Sequence, residues 1–417
     1  MKVLINAYAC SPNMGSEPGM AWNWCVNLAK YCELYIITEG EFRDNIELVV
    51  PTLPKGKNMH FYYNPIGGDD ASKCEKIRKM CWNQGDWRFY WFYHQWQKKT
   101  LAIAREICER EQIDIIHQLN MIGFREPGLL WKIKGPKYVW GPIGGLINIP
   151  SNYLWSISKK EVIKNVLKKS ISALQIRYSY AVRQAVVRAD VLIGATNEET
   201  ETIRRLYKKN IIQVNETGSS ALADEKKHIF SHNEDFNLIW VGRFIPTKQL
   251  GLALFSLAMT GNDKIKLHIV GGTVEEESGF KQKAQELGIE RSCVWHEKVN
   301  HDTVQQLMQQ SDLFFFTSIA EATSTVILEA ISNKLPILCF DTCGFGSVVD
   351  ESIGIKISLS NPSQSAKNFA EQINYLYDHR EVLVQMSENC KKRAEELSWE
   401  NKAKQMVELY EKAVKGE

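Results

Sequence analysis

Two glutamates eight positions apart, Glu321 and Glu329, have residue types and a spacing suited to binding a polar molecule. The apolar run Leu313–Phe316 before them predicts a buried strand, and the aliphatic run after Ser324 predicts a helix that the Ser324 hydroxyl caps. A strand, a short polar turn and a helix N-terminus form an anion site, because free N–H groups and the positive helix dipole converge there. We expect Glu321 on the turn and Glu329 one turn into the helix, both facing one bound molecule.

Two cations upstream complete this set of charged residues. Arg243 ends a predicted strand that starts at Leu238, and Lys248 lies near the start of the next predicted helix. Arginine offers a planar fork for phosphate oxygens, and lysine offers a point charge. Taken separately, the two glutamates or the two cations also fit solvated surface charge. The four together favour a binding site for phosphate.

The composition of the chain limits the classes of protein to which it can belong. A chain of 417 residues predicts two domains, and 44% apolar with 24% charged residues is typical of a soluble globular protein. The net charge of +2 gives no reason to expect a nucleic-acid partner. Ten scattered cysteines without a C-x-x-C pair indicate buried thiols in a reducing compartment, neither a disulfide framework nor a metal site. The sequence shows no signal peptide and no apolar run of about 18 residues, so we expect no membrane-spanning helix.

The elements that carry these residues fall into two similar series. Lys2–Ala7 predicts a buried parallel strand, followed by a loop rich in Gly and Pro (10–19), a helix (about 20–30) and a second strand (34–38). This is the start of a doubly wound α/β domain, where ligands lie at the carboxyl ends of the strands. The polar segment 221–236 predicts an interdomain link. The sequence therefore predicts an α/β fold with an N-terminal domain (1–222) and a C-terminal domain (236–395).

Two segments have unusual composition. Residues 73–99 combine basic residues with eight aromatic ones, a pattern that favours core packing, with an excess that also fits an interfacial patch or a lipid-acceptor groove. The predicted helical segment 159–190 has a net charge of +6, from eight basic and two acidic residues. It fits either a solvated face or, over 159–188, attraction to an anionic membrane surface.

The pairing of Glu321-x7-Glu329 with Gly242-Arg243-x4-Lys248 resembles the signature of retaining glycosyltransferases of family 4, the group 1 glycosyltransferases. The resemblance spans nearly the whole chain and is strongest over 238–345. It implies the GT-B fold, in which two Rossmann-like doubly wound domains face a central cleft and the last helix, about 399–415, packs back on the first domain. The chain departs from the family pattern in having Ala322 where most relatives have glycine.

The same resemblance implies roles for individual residues. It makes His117, at the end of a predicted strand (113–117), a contact of the donor sugar, together with Glu321, while Glu329 holds the ribose hydroxyls. The catalytic residues would be His117, Arg243, Lys248 and Glu321. The donor-binding residues would be Gly15, Ser16, Arg243, Lys248, Gly271, Glu321, Ala322, Thr323, Ser324, Thr325 and Glu329. Glu17 and Arg125 would bind the acceptor.

The function implied is retaining transfer of a sugar from a nucleoside diphosphate sugar, with uridine favoured over guanosine, to a glycan or lipid-linked acceptor. No cofactor or metal is expected, because the chain has no Asp-x-Asp and its cations can stabilise the diphosphate. The family suggests capsule, lipopolysaccharide or exopolysaccharide biosynthesis, in the cytoplasm or peripherally on the cytoplasmic face of the inner membrane. The alternatives are a sugar-nucleotide 2-epimerase of the same architecture and a membrane-surface protein with a vestigial site.

Overall fold

The computed structural model describes residues 1–82, 86–156, 159–219 and 235–417. All but the last two residues of the predicted link (221–236) lie outside these ranges. Within them, the chain divides into two compact units. Unit 1 comprises Met1–Leu146, Ile171–Glu216 and Trp399–Glu417, and unit 2 comprises Ile147–Ser170 and Thr217–Ser398.

Unit 1 is built on a parallel sheet of seven strands. The strands are β1 (Lys2–Ala7), β2 (Glu33–Thr38), β3 (Met59–Tyr63), β4 (Ile115–Asn120), β5 (Lys137–Ile143), β6 (Val191–Gly194) and β7 (Ile212–Gln213). Their order in the sheet is β3-β2-β1-β4-β5-β6-β7. The central strands read as continuous apolar runs because helices cover both faces of such a sheet.

The first helices surround this sheet. They are α1 (Ser16–Leu28), α2 (Arg43–Val49), α3 (Ala71–Trp82), α4 (Arg88–Arg110), α6 (Tyr180–Arg188) and α7 (Asn197–Tyr207). A further helix, α5 (Lys159–Tyr178), begins in unit 2 and belongs to unit 1 from Ile171 onward. The first helix begins four residues before its predicted start, so Ser16 and Glu17 lie in its first turn and not on the loop. Pro18 permits this early start, because a proline in the first turn removes no hydrogen bond of the helix.

The aromatic run of 73–99 lies largely on α4 and is mostly a packing feature. Phe89, Tyr93 and Trp96 are buried around the ring of Tyr8. The sequence favours core packing for this segment, and the structure confirms it for these three rings. A smaller group stays at the surface, consisting of Trp87, Tyr90 and Trp91.

Unit 2 is built on a parallel sheet of six strands in the order β10-β9-β8-β11-β12-β13. The strands are β8 (Phe236–Val241), β9 (Ile265–Val270), β10 (Cys293–Trp295), β11 (Leu313–Phe316), β12 (Ile337–Phe340) and β13 (Gly354–Ile357). The remaining helices are α8 (Leu250–Thr260), α9 (Val274–Glu286), α10 (His301–Gln310), α11 (Thr325–Ser332), α12 (Phe345–Val348), α13 (Pro362–Asp378), α14 (Arg380–Glu396) and α15 (Trp399–Lys415). No helix in the described ranges has the length and apolar character needed to cross a bilayer.

The strand order reverses once in each sheet, between β1 and β4 in unit 1 and between β8 and β11 in unit 2. In open parallel sheets, ligands bind beyond the carboxyl ends of the strands at such a reversal. We therefore expect a ligand-binding site at the loops that follow these four strands.

The predicted domain boundary is wrong in one respect, because 147–170 belongs to unit 2 although the sequence places it in the N-terminal domain. The reason is a core contact, since Tyr153 is fully buried, packs on Phe340 and bonds the Ser365 hydroxyl at 2.7 Å. The last helix, α15, groups with unit 1, where Trp399 contacts Trp24 with 5.6 Å between ring centroids.

Candidate functional site

The centre of the candidate site in unit 2 is an ion pair between Lys248 and Glu321. The Lys248 Nζ lies 2.6 Å from both carboxylate oxygens of Glu321, and it also lies over the ring of Phe316. The lysine side chain is 8% exposed and the glutamate 26%, so water reaches the carboxylate but hardly the ammonium. The pair follows β8 and β11, the strands between which the sheet order reverses. The structure thus brings together two charges that are 73 residues apart in the chain.

Two hydrogen bonds to backbone carbonyl oxygens hold the loop of Lys248 against the loop that follows β11. The Thr317 hydroxyl donates to the carbonyl oxygen of Lys248 at 2.8 Å, and the Ile319 N–H donates to the carbonyl of Thr247 at 2.9 Å. The sequence analysis did not single out Thr317. Its signal is a hydroxyl residue placed directly after an apolar strand, which is common in many proteins and carries little weight alone.

The turn from Glu321 to Thr325 has the predicted arrangement. Glu321 lies on the turn, α11 begins at Thr325, and Glu329 lies in the second turn of that helix. Ser324 occupies the N-cap position with extended backbone, but its hydroxyl makes no capping hydrogen bond, so that prediction is wrong. The Ser324 side chain thus does not cap the first-turn N–H groups of α11, which suits an anion at this helix terminus.

The loop after β12 supports this turn from the side. Cys343 adopts a left-handed backbone with φ of 58°, and its Sγ accepts a hydrogen bond from the Glu321 N–H at 3.4 Å. Gly344 lies so close to Thr323 that an added Cβ would be 2.2 Å from the threonine Oγ1. Only glycine fits here without displacing the turn, and the sequence analysis missed this packing.

Gly271, after β9, borders the loop that carries Arg243. Its φ of +117° favours glycine, and a Cβ there would lie 2.5 Å from the carbonyl oxygen of Gly242. Arg243 itself is exposed, and its guanidinium has no ion-pair partner among the residues that the structure describes. The β9, β8, β11 and β12 loops thus form one edge of the sheet.

Glu329 interacts with polar side chains of α10. The Gln305 side-chain amide donates to Glu329 Oε2 at 3.1 Å, and His301 Nε2 lies 3.6 Å from Oε1. Asn333 donates in turn to the Gln305 oxygen at 2.6 Å. These contacts were missed, because they join separate segments and neither sequence pattern indicates the other.

In unit 1, the start of α1 is tied to the segment after β4. Glu17 Oε1 accepts a hydrogen bond from the Ile122 N–H at 2.8 Å, and burial raises the pKa of this carboxyl group. Gly15 occupies the N-cap position of α1, and both it and Ser16 are exposed. All three residues therefore lie where the order of the first sheet reverses.

Arg125 is engaged with α5. Its Nε donates to Gln175 Oε1 at 2.9 Å, a terminal nitrogen donates to the Ser172 hydroxyl, and the guanidinium lies over the ring of Phe124. Burial lowers the pKa of this guanidinium. The structure thus gives Arg125 neutral partners within unit 1, and its contact with an acceptor stays a prediction.

His117 does not lie at the end of its strand, and the boundary predicted there is wrong because β4 continues to Asn120. The imidazole is fully buried, with Nε2 2.6 Å from the Gly141 carbonyl oxygen and Nδ1 2.5 Å from the Tyr410 hydroxyl. The carbonyl can only accept, so Nε2 carries the proton and Nδ1 accepts from the phenol. Burial lowers the pKa of His117 to about 4, which keeps the ring neutral. These contacts indicate a structural role.

The residues of this chain that match a known family model lie in unit 2. Residues 223–394 match the family model described as Glycosyl transferases group 1. This part of the chain is therefore similar to the group 1 glycosyltransferase domain. The domain contains Arg243, Lys248, Gly271 and the whole turn from Glu321 to Glu329, whereas His117, Arg125 and the residues of α1 lie outside the match.

Two curated relatives match shorter stretches. A D-inositol 3-phosphate glycosyltransferase of Corynebacterium urealyticum is 28% identical over 140 residues, which is 34% of this chain and 32% of that protein. An uncharacterised glycosyltransferase of Methanocaldococcus jannaschii is 25% identical over 194 residues, 45% of this chain and 48% of that protein. The matches thus span a third to a half of each relative.

Solved structures with the same fold cover the whole chain. Sucrose-phosphate synthase from Thermosynechococcus elongatus aligns with a TM-score of 0.60 at 14% identity, over 100% of both chains. Anabaena HepE in complex with UDP aligns with a TM-score of 0.60 at 15% identity, over 98% of this chain and 99% of that one. The chain therefore has the GT-B fold, as the resemblance implies.

The buried contacts of His117 give a testable expectation outside the group 1 domain. We expect Tyr410→Phe to lower the free energy of unfolding by about 1–3 kcal/mol, because Nδ1 of His117 loses its donor in a fully buried site. Urea unfolding measures the change. Tyr375→Phe is the control, since that ring is 44% exposed. A Tyr410→Phe protein with unchanged stability and impaired turnover would place His117 in the catalytic machinery instead.

Proposed function

We propose that this chain is a retaining glycosyltransferase that uses a nucleoside diphosphate sugar. The observation that carries the proposal is the Lys248–Glu321 pair, 2.6 Å apart at the turn that leads into α11. It combines a cation, a carboxylate and helix amides at a sheet reversal, which suits a ligand that joins a diphosphate to a sugar. The curated relatives are named glycosyltransferases, which supports the same activity here.

In the proposed reaction, the bond between the anomeric carbon and the diphosphate oxygen breaks, and a bond to an acceptor oxygen forms on the same face. The acceptor proton passes to the departing phosphate oxygen. Arg243, Lys248 and the amides of 322–325 stabilise the growing phosphate charge, each by about 3 kcal/mol in a preorganised site. Glu321, fixed by Lys248, accepts hydrogen bonds from the sugar hydroxyls.

The cations take the part that a divalent metal plays in other transferases, so we propose a metal-independent reaction. We therefore expect turnover to be unchanged in excess EDTA and not to rise with added Mg²⁺ or Mn²⁺. An assay of nucleoside diphosphate release in the chelated and metal-supplemented protein checks this. A loss of turnover in EDTA that Mg²⁺ restores would refute it.

The acceptor is proposed to be a glycan or a lipid-linked glycan, met by unit 1 around Glu17 and Arg125, in the synthesis of a capsule, lipopolysaccharide or exopolysaccharide. We also propose that the protein is located peripherally on the cytoplasmic face of the inner membrane. The support is the basic character of 159–188. Gly15 and Ser16, exposed at the start of α1, would approach the donor.

A donor panel tests the proposal. The protein is incubated with uridine and guanosine diphosphate sugars, each with and without a lipid-linked glycan acceptor, and release of the nucleoside diphosphate is measured. We expect release from a uridine donor that depends on acceptor, with the product anomer matching the donor. Interconversion of the donor without acceptor would instead indicate an epimerase, and an inverted product would refute the retaining mechanism.

The ribose contact proposed for Glu329 can be tested through Gln305. We expect Gln305→Met to raise KM for the donor about tenfold with little change in kcat, because one hydrogen bond that orients Glu329 is lost in ground and transition states alike. The control is Gln309→Met, one turn along α10, whose side chain bonds Asn333 and not Glu329. Equal effects from the two variants would argue against a role of Glu329 in donor binding.

A further inference from the structure

The solvent-facing side of α5 is apolar. Six large apolar side chains of this helix are between 42% and 67% exposed: Ile163, Val166, Leu167, Ile171, Leu174 and Tyr178. At 100° per residue they cover an arc of roughly 140° on one side of the helix, and Ser170 and Arg177 lie within the same arc. Single exposed apolar residues are ordinary on soluble proteins, but a stripe of six along one side of a helix marks an interaction surface.

The opposite side of α5 already packs on the protein. Ser172 and Ile176 are buried there, and Ser172 accepts a hydrogen bond from Arg125. The apolar stripe is therefore not the face that anchors the helix, and the described residues leave it exposed. This excludes the ordinary explanation of an apolar helix face, which is packing on the core of its own unit.

Basic residues border the stripe. The helix carries six Lys or Arg and a single acid, Glu161, a net charge of +5. On the helix, Lys164 lies beyond one edge of the stripe and Lys169 beyond the other. An apolar stripe bordered by lysines is the arrangement of helices that lie in the plane of a membrane interface, with the stripe in the acyl boundary and the ammonium groups at anionic headgroups.

We propose that α5 docks this protein on an anionic lipid bilayer through the stripe from Ile163 to Tyr178. Charge complementarity selects this occupant over a second copy of the chain. A two-fold interface would bring the same patch of both copies together, and the two helices would then oppose +5 with +5. The inference rests on the peripheral membrane location proposed above and not on the transfer reaction.

Vesicle flotation tests the proposal. The full chain is mixed with vesicles of phosphatidylcholine containing phosphatidylglycerol, or of phosphatidylcholine alone. We expect binding to the anionic vesicles at least about tenfold stronger. We expect it to weaken at about 1 M salt, where the screening length falls to about 3 Å. Equal binding to both kinds of vesicle, or none, would overturn the proposal.

Two variants locate the surface. Ile163→Ser/Leu167→Ser/Leu174→Ser should weaken binding to anionic vesicles about 30-fold or more, because the apolar stripe is lost. Lys164→Gln/Lys169→Gln keeps the stripe and should weaken binding only to the anionic vesicles. The matched control is Leu48→Ser/Val274→Ser/Val384→Ser, which removes exposed apolar side chains elsewhere (76%, 57% and 42% exposed). Equal losses in the control and the α5 serine variant would overturn the assignment.

UDP binding by calorimetry separates this inference from the proposed reaction. Both α5 variants should bind UDP as the parent chain does, since none of the substituted residues lies at the turn from Glu321 to Thr325 that we propose binds the donor (the donor turn). If the serine variant loses UDP binding, it has lost its fold. In that case the vesicle binding of Lys164→Gln/Lys169→Gln decides whether α5 is the docking surface. A chain that binds anionic vesicles but no UDP refutes the transferase and leaves the docking intact. A dimer in light scattering that the serine variant abolishes would assign the stripe to a second copy.

Discussion

Glu321→Gln is expected to lower kcat about 1,000-fold while the protein remains folded. The change keeps the shape of the side chain and removes its charge, so Lys248 faces a neutral amide and the donor sugar loses a charged acceptor. One preorganised electrostatic contact is worth about 3–4 kcal/mol at the transition state, which is two to three orders of magnitude in rate. The measurement is single-turnover transfer with the best donor of the panel.

The control for Glu321→Gln is a second ion pair of unit 2 that lies at the other end of the same sheet. Asp312, directly before β11, lies 3.6 Å from Arg380, whose side chain is 2% exposed. Asp312→Asn also deprives a buried cation of its partner, so we expect a comparable loss of stability but a kcat close to that of the parent chain. If both substitutions reduce kcat equally, the effect of Glu321→Gln reflects stability and the proposed catalytic role fails.

Gly344→Ala is expected to reduce kcat/KM for the donor about 100-fold. The new methyl group would lie 2.2 Å from Thr323 Oγ1 and 2.8 Å from the Thr323 N and Cα atoms. Because backbone atoms are among those contacts, a rotamer change of Thr323 cannot relieve the clash, and the donor turn must move. A displacement of about 1 Å at a reacting group can cost about 100-fold in rate. Steady-state kinetics with varied donor would show it.

Gly279→Ala is the matched control, because a methyl group in this part of α9 meets no other atom within 4 Å. Alanine favours a helix over glycine by about 1 kcal/mol, so this variant should be at least as stable as the parent and fully active. A Gly344→Ala protein with normal donor kinetics would mean that the loop after β12 does not shape the donor turn.

The elements and the central charges of unit 2 could be predicted from the sequence. The Leu313–Phe316 strand has the bounds that its apolar run predicts, and Glu321 lies on the turn before α11 as expected. Continuous apolar runs bounded by polar turns leave few alternatives for a buried parallel strand, since any other pairing would expose them. The positions of Lys248 and Glu321 after such strands then follow from the fold.

Contacts between segments that are far apart in the chain could not be predicted from the sequence. His117 was predicted to face a sugar, but its partner is Tyr410, 293 residues away on the last helix, and that contact buries it. Gly344 beside Thr323 and Gln305 beside Glu329 were missed for the same reason, because each depends on how two separate elements pack.

The sequence by itself determined the order of strands and helices and the α/β class. These follow from local periodicity, and from the rule that parallel strands end at a common edge. The set of charged residues around Glu321 was predicted from their spacing together with the resemblance to a known family. Only the tertiary structure decided that His117 is enclosed by packing and which side of α5 faces outward. The physical reason is that burial is a property of two surfaces in contact, while a sequence displays one segment at a time.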